Sequence, residues 1–185
     1  MKLKDEEIVK LLMVPQTVDK GLRAMMDAYQ SRLYWHIRRL IIDHDIVQDV
    51  LQDTFIKAYQ NIHQFKNDSK LYTWLYRIAT NEALQQLNKM NRMKKTDEDP
   101  EFYMQNLVAD NAEKDAEEIQ VLLQKAIQSL PEKQKLVFNM RYYDDLPYEE
   151  ISKILDMSVG TLKTNYHYAK DKVEQYLKDN YSEEF

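Results

Sequence analysis

Residues 49–88, DVLQDTFIKAYQNIHQFKNDSKLYTWLYRIATNEALQQLN, decide how the rest of the chain is read. In the first half, Val50, Leu51, Thr54, Ala58 and Ile62 recur at helical spacing, joined upstream by Ile46 and Val47. Opposite this stripe, Asp49, Gln52, Asp53 and Ile56 fall at i, i+3, i+4 and i+7. They form one outward ridge of two acids, an amide and an apolar tip. Such a ridge suits docking of a basic partner, although an ordinary solvated helix face has the same pattern. A paired-carboxylate active site is disfavoured, since nothing nearby supplies a nucleophile or a phosphate cradle.

A polar break over residues 65–69 separates this helix from the next. Its small polar groups suit a pocket for an unstacked base. Ser69 is the expected cap of a helix running to about Arg92. On that helix Thr73, Arg77, Thr80, Asn81, Leu84 and Asn88 share a polar arc. Leu71, Trp74, Leu75, Ile78 and Ala79 face the other way, and Trp74 reads as a packing residue rather than a platform for bases.

Charge along the chain is uneven. The net charge is −5, but residues 1–95 carry +5, residues 96–118 carry −8 and residues 119–185 carry −2. One short acidic segment therefore sets the overall sign. Within residues 69–95 there are six basic residues and a single acid, Glu82, the electrostatic pattern expected of a phosphate-binding face. Two glycines and four prolines in 185 residues leave little material for loops, so the expected fold is all-α. No apolar run approaches 18 residues, so no membrane insertion is expected. The acids that open MKLKDEEIVKLL argue against a signal peptide. The chain has no cysteine, which excludes disulfides, thiolate metal sites and a cysteine nucleophile. No cofactor, metal site or catalytic residue is expected, and the expected compartment is the cytoplasm.

Upstream, a short helix over residues 5–13 stops before Pro15, and a longer one spans residues 18–42. Asp43 and Asp45 are the candidate caps for the helix that carries the ridge. Periodicity is lost over residues 93–114 around Pro100, which reads as an acidic linker. The expected organisation is two small helical domains, 1–92 and 115–185, joined by this linker. In the second domain Pro131 suits the first turn of a helix, and Glu149 and Glu150 suit the first turn of another.

The segment YEEISKILDMSVGTLKTNYHYAKDKV has the pattern helix, tight turn, helix. Ile151, Ile154 and Leu155 line the first helix; Leu162, Tyr166, Ala169, Val173 and Leu177 line the second. Ser158 caps the second helix. Its outer face then carries Thr161, Thr164, Asn165 and Tyr168, with Lys163, His167 and Lys170 on a flank. Asn pairs with adenine, Thr meets a thymine methyl, and Lys suits phosphates, so this face fits the major groove.

Three blocks, DVLQDTFIKAYQNIHQF, YTWLYRIATNEAL and LPEKQKLVFNMRYYDDLPYEEISKILDMSVGTLKT, together resemble the bacterial extracytoplasmic-function (ECF) sigma factors, over about residues 20–92 and 118–178. The resemblance implies roles. Asp49, Gln52, Asp53 and Phe55 correspond to the segment that binds the polymerase clamp helices, alongside Ile56 of the ridge. Asn67, Asp68, Ser69, Lys70, Thr73, Arg77 and Asn81, with Asn88 further along the arc, correspond to the part that melts and reads the minus-10 element. Ser158, Thr161, Lys163, Thr164, Asn165, His167, Tyr168 and Lys170 fall on the helix that reads the minus-35 element. Implied partners are core RNA polymerase, promoter DNA as duplex and melted strand, and an anti-sigma factor. The chain departs from the family at Asn165, Tyr168 and Asn88, where many members have Arg, and at Gln85, where many have Asp. Each missing Arg lowers the salt sensitivity of DNA binding. Weak DNA binding by the isolated chain is expected, with most affinity supplied by holoenzyme assembly. A helix-turn-helix regulator that does not replace a sigma factor is the alternative, but it leaves DVLQDTF and TWLYRIATN without a role.

Overall fold

The computed structural model describes residues 3–66, 69–93 and 114–180. All regular structure among these residues is helical: α1 (Asp5–Met13), α2 (Val18–Leu40), α3 (His44–Gln60), a 3-10 turn (Ile62–Gln64), α4 (Leu71–Met93), α5 (Lys114–Gln128), α6 (Glu132–Tyr142), α7 (Tyr148–Leu155) and α8 (Val159–Asn180). The described residues fall into two compact units, one taking in those up to Met93 together with Lys153–Asp156 and the other residues 114–152 with 157–180. The expected linker lies almost wholly outside the described residues.

In the first unit α1 is short and needs local help at its start. Glu7 reaches back to accept the Lys4 amide at 2.8 Å, and Ile8, Val9 and Leu12 are buried. α1 turns into α2 through Thr17, whose hydroxyl donates to the Leu11 carbonyl at 2.9 Å. The two helices approach closely at Gly21: a Cβ there would lie 2.8 Å from the Leu12 amide nitrogen and 2.9 Å from its Cγ. α2 buries Met25, Leu33, His36, Ile37 and Leu40. It ends two residues earlier than the apolar pattern suggests, because the Arg38 guanidinium donates to the Ile41 and Ile42 carbonyls and closes the terminus. Asp43, not Asp45, caps α3; its Oδ1 accepts the amides of Asp45 and Ile46 at 3.0 and 3.1 Å.

A buried polar contact joins α2 to α4. The Thr80 hydroxyl spends its one proton on the Tyr76 carbonyl at 2.7 Å. His36 Nε2, 2.9 Å from the same oxygen, must therefore be the donor, which fixes the His36 tautomer. The imidazole also packs on the Tyr76 ring at 4.7 Å. On the other side of α4, Lys57 of α3 pairs with Glu82 at 2.6 Å.

The second unit packs α5, α6 and α8 around Ala126, Ile127, Leu130, Phe138, Ala169 and Val173, with Tyr166 and Leu177 against them. Pro131 is the N-cap of α6 rather than a residue of its first turn, and its carbonyl accepts the Lys135 amide at 2.9 Å. α6 is buried over five consecutive residues, Leu136 to Met140. One of these is Asn139, 1% exposed, and among the described residues neither its Oδ1 nor its Nδ2 has a hydrogen-bond partner. A buried amide left this way costs about 1–3 kcal/mol. Asn139→Leu, similar in volume, is therefore expected to stabilise the second unit by about that amount. Thermal unfolding followed by circular dichroism checks this, and a lowered midpoint would contradict it.

Candidate functional site

Asp49, Gln52, Asp53 and Ile56 are all exposed along one side of α3, as their spacing predicts. Ile56 keeps 44% of its surface open. The opposite side buries Val47, Val50, Leu51, Thr54, Phe55 and Ala58. Phe55 is thus a correction to its expected place on the partner-binding surface. It lies four residues after Leu51 and three before Ala58, on the inward stripe, and supports the ridge from beneath. Ile46, expected in that stripe, is only half-buried. Beyond Ile56 the apolar character continues: Tyr59 and Ile62 help to line an open groove of about 640 Å³ with Leu12, Met13, Pro15 and Val18.

On α4, Arg77, Asn81, Gln85 and Asn88 are exposed at steps of four, four and three, and Lys89, Asn91, Arg92 and Met93 are exposed in its last turn. Thr73 and Thr80 do not join this arc; they are 2% and 1% exposed. A threonine on a helix pairs its hydroxyl with the preceding turn and buries a methyl group, as Thr80 does, so polarity by residue type misplaces it. Trp74 is half-buried and lies against Phe65, the first residue of the polar break, with ring centroids 5.4 Å apart. Asn67 and Asp68 lie outside the described residues. Ser69 is half-buried and Lys70 exposed. The first amide of α4, that of Leu71, is met by Asp5 Oδ2 at 3.3 Å instead of by the expected Ser69 cap.

A cationic cluster sits at this end of α4. The Lys70 ammonium and the Arg32 guanidinium each lie 5.6 Å from the centroid of Tyr72, and Arg32 lies 5.9 Å from that of Tyr76. Arg32 belongs to α2. Its part in the cluster has no signal in sequence, because only tertiary packing brings it to α4.

α7 and α8 form the helix-turn-helix. The turn passes through Asp156, whose φ of 54° is left-handed. It is fastened by the Ser152 hydroxyl, which donates to the Met157 carbonyl at 2.6 Å. Ser158 Oγ accepts the Thr161 amide at 3.1 Å and caps α8, as expected. Leu162, Ala169 and Val173 are buried, and Tyr166 stacks on Phe138 at 5.8 Å.

Facing outward are Thr161, Lys163, Thr164, His167, Tyr168 and Lys170, with Asn165 half-buried among them. Two of these groups are turned back on their own helix. The Thr164 hydroxyl donates to the Gly160 carbonyl at 3.1 Å, and Asn165 Nδ2 donates to the Thr161 carbonyl at 2.9 Å. That bond uses one of the two Asn165 amide protons and leaves the other, with Oδ1, for a base edge. His167 and Lys170 each face a carboxylate one turn on, Asp171 at 3.4 Å and Glu174 at 3.5 Å. Lys163 instead lies 5.9 Å over the Tyr148 ring. A Cβ at Gly160 would meet nothing nearer than Ser158 Oγ at 3.9 Å, so the start of α8 is sterically open.

Among the described residues, no helix is long and apolar enough to cross a membrane. Comparison with known proteins gives a consistent assignment. The family profile "Sigma-70 region 2" matches residues 25–93, and "Sigma-70, region 4" matches residues 120–173. The chain is 35% identical over 162 residues to the RNA polymerase sigma-H factor of Pseudomonas aeruginosa, covering 80% of this chain and 82% of that protein. It is 31% identical to the ECF RNA polymerase sigma-E factor of Haemophilus influenzae over 185 residues, covering 95% and 96%. Among solved structures, the sigma factor RpoE of Bartonella quintana, in complex with the anti-sigma factor NepR, aligns with a TM-score of 0.70 at 22% identity, covering 88% of this chain and 99% of that one. CnrH, in complex with the cytosolic domain of CnrY, aligns with a TM-score of 0.70 at 18% identity, covering 96% and 99%. With region 2 and region 4 both present in order, and identity above 30% across most of two relatives, this chain belongs to the ECF group of sigma-70 family RNA polymerase sigma factors.

Proposed function

We propose that this sigma factor divides its work among three surfaces. The α3 ridge of Asp49, Gln52, Asp53 and Ile56 docks core RNA polymerase. Residues 67–70 with Arg77, Asn81 and Asn88 of α4 open and read the minus-10 element. The outer face of α8 grips minus-35 DNA. The observation that carries this reading is that each matched family segment exposes its own polar face: acidic on α3, basic and amide-rich on α4, hydroxyl- and amide-rich on α8. Residues 1–92 then act as region 2, residues 93–114 as a linker and residues 115–185 as region 4. The protein works in the cytoplasm and performs no chemistry itself; the polymerase does. Since RpoE and CnrH were solved as complexes with NepR and CnrY, an anti-sigma factor is the expected inhibitory partner here too.

Gel filtration with core polymerase tests the docking step. A stoichiometric complex is expected; elution of the sigma factor apart from core at micromolar concentrations would contradict it.

Asn165 gives a finer test on duplex DNA. Its amide is the one group in the first two turns of α8 able to pair bidentately with adenine. Asn165→Ala should therefore relax minus-35 discrimination by about 1–3 kcal/mol at one base position. Competition binding with single-base promoter variants reads this out, and an unchanged preference would move the readout elsewhere on α8.

A further inference from the structure

Asp5 is the first residue of α1, yet it contacts two other helices. One carboxylate oxygen accepts the Tyr29 hydroxyl of α2, and the other accepts the Leu71 amide at 3.3 Å. The first amides of a helix lack partners within it and are ordinarily met by a side chain at the adjacent N-cap. For α4 that carboxylate comes from 66 residues earlier in the chain. Leu71 is fully buried and directly follows Ser69 and Lys70, so its backbone sets where the polar loop ends.

Two further observations show that Asp5 is held in place. α1 packs directly on the α2 backbone at Gly21, where an added Cβ would clash with Leu12. Tyr29 is half-buried, and burial together with the Asp5 carboxylate pushes its hydroxyl well above the ordinary tyrosine value of 10.0, so the phenol remains a donor. α1 lies outside the segment matched by the region 2 profile, which begins at residue 25.

We infer that Asp5 is a positioning residue for minus-10 recognition: it fixes the start of α4, and through it Ser69 and Lys70 at the end of the strand-reading loop. The inference rests on the proposed role of residues 67–88. Asp5 touches no DNA itself; it acts by holding the backbone from which the reading groups project.

The test uses holoenzyme and a single-stranded probe carrying the minus-10 sequence of a promoter that the wild-type holoenzyme transcribes. Losing a charge-assisted hydrogen bond at this point should weaken probe binding by about tenfold in Asp5→Ala. Affinity for core should be unchanged, since the ridge lies on α3. Asp5→Asn, which retains one carbonyl acceptor, should recover part of the loss. Ile37→Val serves as a control for stability alone, because it thins the packing of the same unit at a fully buried site. It should lower the unfolding midpoint and leave probe binding intact. Asp5→Ala binding within twofold of wild type, or an equal loss in Ile37→Val, would overturn the inference. A wild-type holoenzyme with no preference for the minus-10 strand would instead overturn the parent reading.

Discussion

A protein carrying Asp49→Lys together with Asp53→Lys is expected to lose core polymerase binding by roughly 100-fold or more while remaining folded. Both carboxylates are exposed and lie one turn apart on α3, flanking Gln52. Reversing two charges at a docking face replaces attraction with repulsion, and like-charge juxtaposition across an interface costs several kcal/mol. The folded state has little to lose, because exposed substitutions away from caps and buried groups typically change stability by about 0.5 kcal/mol or less. Titration of core with labelled protein, read alongside a thermal melt, separates the two effects. Unchanged affinity would place the docking face elsewhere, with the apolar groove beyond Ile56 as the next surface to test.

The second large effect is expected inside the helix-turn-helix. Leu162 is fully buried and is the first apolar anchor of α8 after the Ser158 cap. Leu162→Ala should cost about 2–5 kcal/mol, the usual range for a buried leucine. A unit of about 70 residues has only about 3–10 kcal/mol of stability in total. The variant should therefore lower the unfolding midpoint of the second unit by roughly 10–30 °C. At 37 °C it should lose minus-35 binding while the first unit still takes up core polymerase. A variant with a wild-type melt would show that α8 is anchored mainly by Tyr166, Ala169 and Val173.

Much of this organisation was legible because helical periodicity reports one-dimensional order well. The ridge on α3, the Ser158 cap and the buried stripe of α8 all follow from spacing and residue type, and the structure places them as the pattern suggests. The misplacements share a physical origin: a side chain's environment is set by what packs on it from elsewhere in the chain. Phe55 turns inward because the α3 stripe is wide enough to include it. Thr73 and Thr80 are buried because α4 packs on two neighbours, and Thr80 takes His36 as its partner from α2. Asp5 and Arg32 reach α4 only through the tertiary fold, so no local motif announces them. Asn139 is buried despite its amide because α6 is enclosed on every side over that run, whereas polarity alone would place it outside.

The missing arginines bear on function in the same physical terms. Asn88 is exposed on α4 and uncharged, so it does not supply the positive charge that a phosphate contact uses. On α8, His167 and Lys170 stand beside carboxylates, which further thins the positive field of the DNA face. DNA binding by the free protein should accordingly be weak, with promoter affinity arising when polymerase holds both units on one DNA.

Run-off transcription tests the central claim most directly: purified core polymerase on a pool of genomic templates, with and without this protein. The account predicts new transcripts that start at a shared promoter sequence, require this protein, and disappear with the Asp49→Lys, Asp53→Lys variant. The same transcript pattern with and without the wild-type protein would contradict it.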